Sequence, residues 1–300
     1  MLRSMYSGVS GMRSYQTKMD VIGNNIANVG TTAFKSGAAQ FQDLLSETLS
    51  TGQAPIDGGL GGINSKQVGL GVSVGKISTV MSNGALQPTG RDLDFAIEGN
   101  GFFIVSDAMD PAGDFAFRYT RDGSFQRDSN GTLNLNGMSV MGISNVTLSD
   151  DNSVVFTDSP IPAIAEDSDF SAIIIPDKLD ENRELVSYTI DGTGLIKARY
   201  SNGEEYEMGQ LVVARFSNPG GLDKKGGNTY AASQNSGVPN LGTSGVNGFG
   251  IIRKGYLEMS NVDLANEFTE MIITSRSYQA NSRTITTSDE MLQELLNLKR

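Results

Sequence analysis

The chain has 300 residues and carries 23 Lys+Arg against 34 Asp+Glu, a formal net charge of −11, with no Cys, His or Trp and 36 Gly. Without Cys or His there is no disulfide, no thiolate zinc site and no Ser-His-Asp or Cys-His relay, so any chemistry would fall to carboxylates, Lys, Tyr or a carboxylate-bound metal. The acidity also argues against nucleic acid as a partner, because neutralising phosphates needs a surplus of Lys and Arg.

At the start of the chain, Leu2, Met5, Val9, Met12, Met19 and Ile26 step by 3, 4, 3, 7 and 7, an a/d heptad interrupted at Gln16 and Gly23. The pattern predicts a helix over about 3–28, although Gly8, Gly11 and Gly23 each cost up to ~1 kcal/mol relative to Ala. The helix runs into Asn24-Asn25-Ile26-Ala27-Asn28. Amides there compete with backbone hydrogen bonds. Asn24, Asn25 and Asn28 therefore have two readings: caps that end the helix in a turn, or amides that bond across a subunit contact. The N-terminus lacks the 7–15-residue apolar stretch of a cleavable leader. The expectation is a cytosolic protein or one that leaves by a route that removes no leader.

Gln53–Gly62 and Asn235–Gly250 are rich in Gly and poor in apolar residues, and read as connectors flanking a β region. Gly69–Lys76 looks like a phosphate loop, but Leu70 stands where a Walker A motif needs Gly and Ile77 where it needs Ser or Thr. Between the connectors, Asn-Gly recurs at 83, 100, 130, 136 and 202, and Asp-Gly at 122 and 191, supplying the positive φ of tight hairpins. Strand-like runs flank them: 72–80, 102–105, 115–120, 132–135, 139–143, 153–156, 171–175, 185–190, 195–200 and 210–216. No helical pattern separates these runs, so a parallel α/β sheet is unsupported. The longest apolar runs, such as Phe102–Val105, are four residues, far short of the ~20 that a membrane-spanning helix needs.

Near the end, Leu264, Met271, Tyr278, Ile285 and Leu292 recur every seven residues, with Phe268 and Leu296 on the companion line. A helix over 261–297 follows, opened by Ser260-Asn261-Val262-Asp263 as a capping box with Ser260 at the N-cap and Asp263 at N3. The fold class is thus mainly β with α-helical termini that pair in coiled-coil fashion, a β domain being inserted between them. The helical domain comprises 1–35 plus 258–300, the Gly-rich linkers 36–71 plus 240–257, and the β domain 72–239, with 145–187 a minimal insertion. Charge divides likewise: +3 on 1–40, −2 on 260–300 and the remaining −12 between. A narrow a/d seam favours helix-on-helix pairing over docking on a sheet. Seams this narrow are too slight to fold two helices as a free pair, so the termini should need other copies of themselves.

Several of these stretches resemble a known family, the axial proteins of the bacterial flagellum, the hook protein in particular. Met1–Met12 and Asp20–Val29 are similar to its N-terminal signature, and Leu257–Leu264 and Ile285–Leu295 to its C-terminal one. Gln67–Val72, Thr89–Asp94, Gly99–Phe103, Tyr119–Phe125, Phe216–Leu222 and Asn235–Gly237 are similar to its central domain. The match runs nearly full length and is poorest over about 145–187. The resemblance implies a non-enzymatic subunit of the extracellular hook, a curved tube acting as a universal joint, with the terminal helices of many copies as its inner wall. It implies no cofactor or metal. The implied partners are further copies, the rod, the hook cap and hook-filament junction proteins, and the type III export apparatus. Phe41 and Leu45 resemble an export-gate motif, the alternative being ordinary packing. Gly58, Gly59, Gly61 and Gly62 would lend the joint its compliance. A distal rod protein, straight and rigid, is the alternative, and the wording of Gln67–Val72 and Asp289–Leu295 favours the hook.

Two other classes stay open on the residues alone. Asp92 with Asp94, or Glu204 with Glu205, are candidate acids of a carboxylate enzyme, although neighbours on a strand face opposite ways. Asp107, Asp110 and Asp114 lack calcium-loop spacing and read as a solvated acidic loop. A soluble binding module would instead be a monomer with ordered termini.

Overall fold

The computed structural model describes residues 2–54, 61–109, 115–148, 154–156, 170–180, 183–246 and 248–298. The chain is mainly β with one long helix towards each end, and it divides into two compact units. The first comprises 1–29, 36–80 and 262–300; the second comprises 30–35 and 81–261. Gly58, Gly59, Asp110, Asp114 and, within the expected insertion at 145–187, residues 149–153, 157–169 and 181–182 lie outside the described residues.

In the first unit, α1 (Leu2–Ala27) and α2 (Leu264–Leu298) lie antiparallel, joined at Ser4 to Ser288 and at Lys18 to Glu270. Among its described residues are four strands: β1 (Gly37–Asp43), β2 (Ser46–Ser50), β3 (Lys66–Gly69) and β4 (Val72–Thr79). β1 pairs with β4 and β2 with β3, both antiparallel. The structure thus differs from the linker reading of 36–71. Its Gly and polar residues sit on two-stranded ribbons, β2–β3 exposed and β1–β4 half-buried, where backbone pairing rather than an apolar stripe makes the strand. The second expected linker, 240–257, differs likewise: 240–242, 251–254 and 256–258 are strands of the β unit, the last two paired with 95–98 and 86–88.

The β unit is built on a large antiparallel sheet. Its order runs 178–180, 183–190, 195–200, 205–211, 138–144, 102–109, 115–120, 229–231 and 223–226. The run Phe102–Val105 shows why. Phe102 and Ile104 belong to one apolar cluster with Tyr119, Phe216 and Tyr230, whereas Phe103 and Val105 belong to another with Phe95, Phe125 and Val140. Alternate side chains leave opposite faces of a strand, and both faces here are covered, so the strand reads as a continuous apolar run. Tight T-shaped pairs such as Phe103 with Phe125 at 5.1 Å and Tyr119 with Phe216 at 4.7 Å fill these clusters.

Candidate assembly surface and buried ion cluster

The contact between α1 and α2 combines small and polar residues with the apolar side chain of Ile285. A Cβ added at Gly8 would lie 3.1 Å from Ile285 Cγ1, and one at Gly11 2.7 Å from Asn281 Nδ2, so two backbones approach where glycine leaves room. Ser4 Oγ lies 3.4 Å from Ser288 Oγ, Lys18 Nζ donates to Glu270 Oε2 at 2.6 Å, and Asn25 Nδ2 donates to Glu267 Oε1 at 3.0 Å. Thr274 and Ser288 are the buried residues of α2.

The sequence-read seam divides: Ile285 packs at Gly8 in the helix pair, whereas other seam residues are left half-buried or exposed. On α1, Met5, Val9, Met12, Met19 and Ile26 are half-buried, while the side chain of Leu2 lies outside the described residues. On α2, Met271, Ile285 and Leu292 are half-buried, but Leu264, Phe268, Tyr278 and Leu296 are exposed. Ile272, Ile273, Met291, Leu295 and Leu298, which heptad counting missed, join them on the outside. Steps of 4, 3, 7 and 7 along Ser4, Gly8, Gly11, Lys18 and Asn25 were the available signal for this contact line. A search for apolar residues passes over it.

The three asparagines divide. Asn28 Nδ2 donates back to Asn24 O at 2.9 Å and to Asn24 Oδ1 at 3.0 Å, which closes the helix C-terminus as a cap. Asn24 is exposed, whereas Asn25 is buried. Asn25 Nδ2 donates to Gly37 O and Gly37 N donates to Asn25 Oδ1, both at 2.9 Å, so the side-chain amide pairs with β1 like a strand residue. With its donors and acceptor so engaged, Asn25 belongs to the chain's own fold, which corrects the subunit-contact reading for this residue.

The cap of α2 is also corrected. The helix opens at Leu264, and Asp263 Oδ1 accepts from Ala265 N at 3.0 Å and from Asn266 N at 3.5 Å. Asp263 is therefore the N-cap, three residues later than the Ser260 expected, its charged acceptor suiting the free N–H groups. Asn261 is held elsewhere, donating to Ser82 Oγ at 3.0 Å. Phe41 packs edge-on against Tyr15 at 5.3 Å, while Leu45 is exposed.

Of the candidate acids, Asp92 is exposed and pairs with Lys254 at 2.9 Å, and Asp94 is buried 3.5 Å from Arg91. Glu205 pairs with Arg199, and Glu204 accepts from Tyr206 Oη at 2.6 Å. Glu204 and Glu205 thus belong to a local ribbon, while the buried carboxylate oxygens of Asp94 accept no hydrogen bond. Among the described residues no group of three acids is placed to hold a metal, and no helix is long and apolar enough to cross a membrane.

The β unit contains a buried ion cluster that sequence reading missed. Glu258, wholly buried, accepts at Oε1 from Lys35 Nζ at 2.5 Å and from Gly84 N at 2.9 Å, and at Oε2 from Arg121 Nη1 at 3.3 Å. Lys35 Nζ also donates to Ser82 O at 2.8 Å, and Arg121 Nη2 to Gly99 O at 2.7 Å. Burial pulls both the Lys35 ammonium and the Arg121 guanidinium below their ordinary pKa, with Glu258 pulling the other way.

Comparison with known proteins bears on all of this. Residues 5–35 match the family description "Flagella basal body rod protein", 96–198 "Flagellar hook protein FlgE/F/G D1 domain" and 253–298 "Flagellar basal body rod FlgEFG protein C-terminal". The flagellar basal-body rod protein FlgG of Bacillus subtilis is 43% identical over 302 residues, covering the whole of both chains. The chain belongs to the flagellar rod and hook protein family. Borreliella burgdorferi supplies relatives of both kinds. Its rod protein FlgG is 34% identical over 302 residues, and its hook protein FlgE is 31% identical over 451, each alignment spanning both chains in full. As a member of this family, the protein is an axial structural component of the flagellum.

Proposed function

We propose that this chain is a rod-type axial subunit of the flagellar basal body, polymerising through its terminal helices into a tube. The observation that carries self-assembly is the series of apolar side chains left exposed along α2. Small and polar residues with Ile285 fill the intrachain helix contact, leaving Phe268, Ile272, Leu295 and Leu296 exposed. Exposed apolar surface of this extent favours association with like surfaces. The rod type is supported by length. The two rod relatives align over 302 positions against the chain's 300 residues, whereas the hook relative needs 451. Further copies and neighbouring axial proteins are its partners in this reading, and passage through the type III export apparatus with Phe41 and Leu45 as gate contacts belongs to the same proposal.

The hook reading has an observation of its own, the 31% identity that spans the whole of the hook relative. Electron microscopy of polymers grown from the purified chain separates the two. Straight, stiff tubes support the rod, and curved, compliant tubes support the hook. A chain that remains monomeric at high concentration overturns both.

A further inference from the structure

The chain passes between its two units at 29/30, 35/36, 80/81 and 261/262. On the β side, the segments next to these passages are bound to one another. Ala33 N donates to Glu258 O at 2.8 Å, Met259 N to Ala85 O at 2.9 Å, and Asn261 N to Phe34 O at 3.4 Å. Glu258 binds Lys35 from the first segment and Gly84 from the second through one carboxylate oxygen. Arg121 holds the other oxygen and is itself fixed on Gly99 O, 5.3 Å over the Phe102 ring.

A buried ion group is a poor source of net stability, because desolvating its charges consumes much of what their attraction returns. It is a good source of specificity: a charge left without its partner in this interior is heavily penalised, so the segments have few alternative positions. We propose that Lys35, Glu258 and Arg121 form a latch that makes 30–35, 81–85 and 256–261 one cooperative element. The three segments open and close together, and a pull on any one of them is resisted by all. Lys35 and Arg121 bind different oxygens of the same carboxylate, so loss of Glu258 releases both. The proposal stands independently of whether the polymer is rod or hook.

Native-state hydrogen exchange of the full chain in low denaturant tests it. The reporters are the amides of Ala33, Gly84 and Met259, with those of Leu133 and Ile173, bonded to Ile173 O and Val140 O, as references for the sheet core. The latch predicts one common opening constant and one denaturant slope for the three reporters, distinct from those of the core. Three different values, or values equal to the core's, overturn it. In a Lys35→Met variant the reporters should lose protection together, by about a hundredfold, while the core amides hold. A loss confined to Gly84 overturns the proposal. A variant too unstable to study leaves the wild-type exchange to decide.

Discussion

Consider replacing Phe268 and Ile272 of α2 by Ser. They stand one helical turn apart and are 50% and 55% exposed. Fully burying such a side chain is worth about 1.5–3 kcal/mol, so the half still in water has about 1 kcal/mol apiece left to give on assembly. The pair should therefore contribute about 2 kcal/mol per subunit contact, which corresponds to roughly a thirtyfold rise in the critical concentration for polymerisation. The isolated chain should be little affected, because surface substitutions usually change stability by less than about 0.5 kcal/mol. Sedimentation of polymer across a concentration series reads the first quantity, and thermal melting of the monomer the second. An unchanged critical concentration refutes the assignment of this face to assembly. So does a rise accompanied by an equal loss of monomer stability, since the residues would then be serving the chain's own fold.

Other perturbations have equally definite outcomes. Asp263→Ala should cost α2 about 1 kcal/mol and deprotect the Ala265 amide, whereas Ser260→Ala should leave that amide unchanged, as amide exchange can show. Gly71 has φ +131°, and a Cβ there would sit 2.3 Å from Ser10 Oγ, so Gly71→Ala should destabilise the helical unit by about 1–3 kcal/mol in chemical denaturation. Burial pushes Tyr200 and Tyr230 up to about 12 from 10.0, so the folded chain keeps protons that the unfolded chain has lost. Their contribution is whole below pH 10 and lost as pH rises towards 12. Phenolate absorbance should show these two, with Tyr119, ionising after most of the nine tyrosines.

The heptads at both ends made the helices legible, and the Asn-Gly and Asp-Gly turns marked the β region. What escaped was direction. An apolar line on a helix says that the face is to be buried, without saying by what. Beside Ile285, the pairing of α1 with α2 was written in Gly8, Gly11, Ser288 and Asn281, residues whose value is that they occupy little space or can hydrogen-bond. The strand 223–226, reading Asp-Lys-Lys-Gly, lies at the edge of its sheet, where both sides meet water and no alternation is required. Lys35, Arg121 and Glu258 were invisible for a related reason. Charged residues are expected at surfaces, and nothing in the local sequence marks one that is buried against a partner far along the chain.

That separation has a consequence of its own. Lys35 and Glu258 stand 223 positions apart. Synthesis delivers a polypeptide from its N-terminus, so the ammonium appears early and its carboxylate only when most of the molecule is already made. Contacts of such long range form late, after the loop between them has closed. The β unit thus reaches its final state only on completion, and a chain interrupted before residue 258 retains an unmatched lysine that disfavours premature closure.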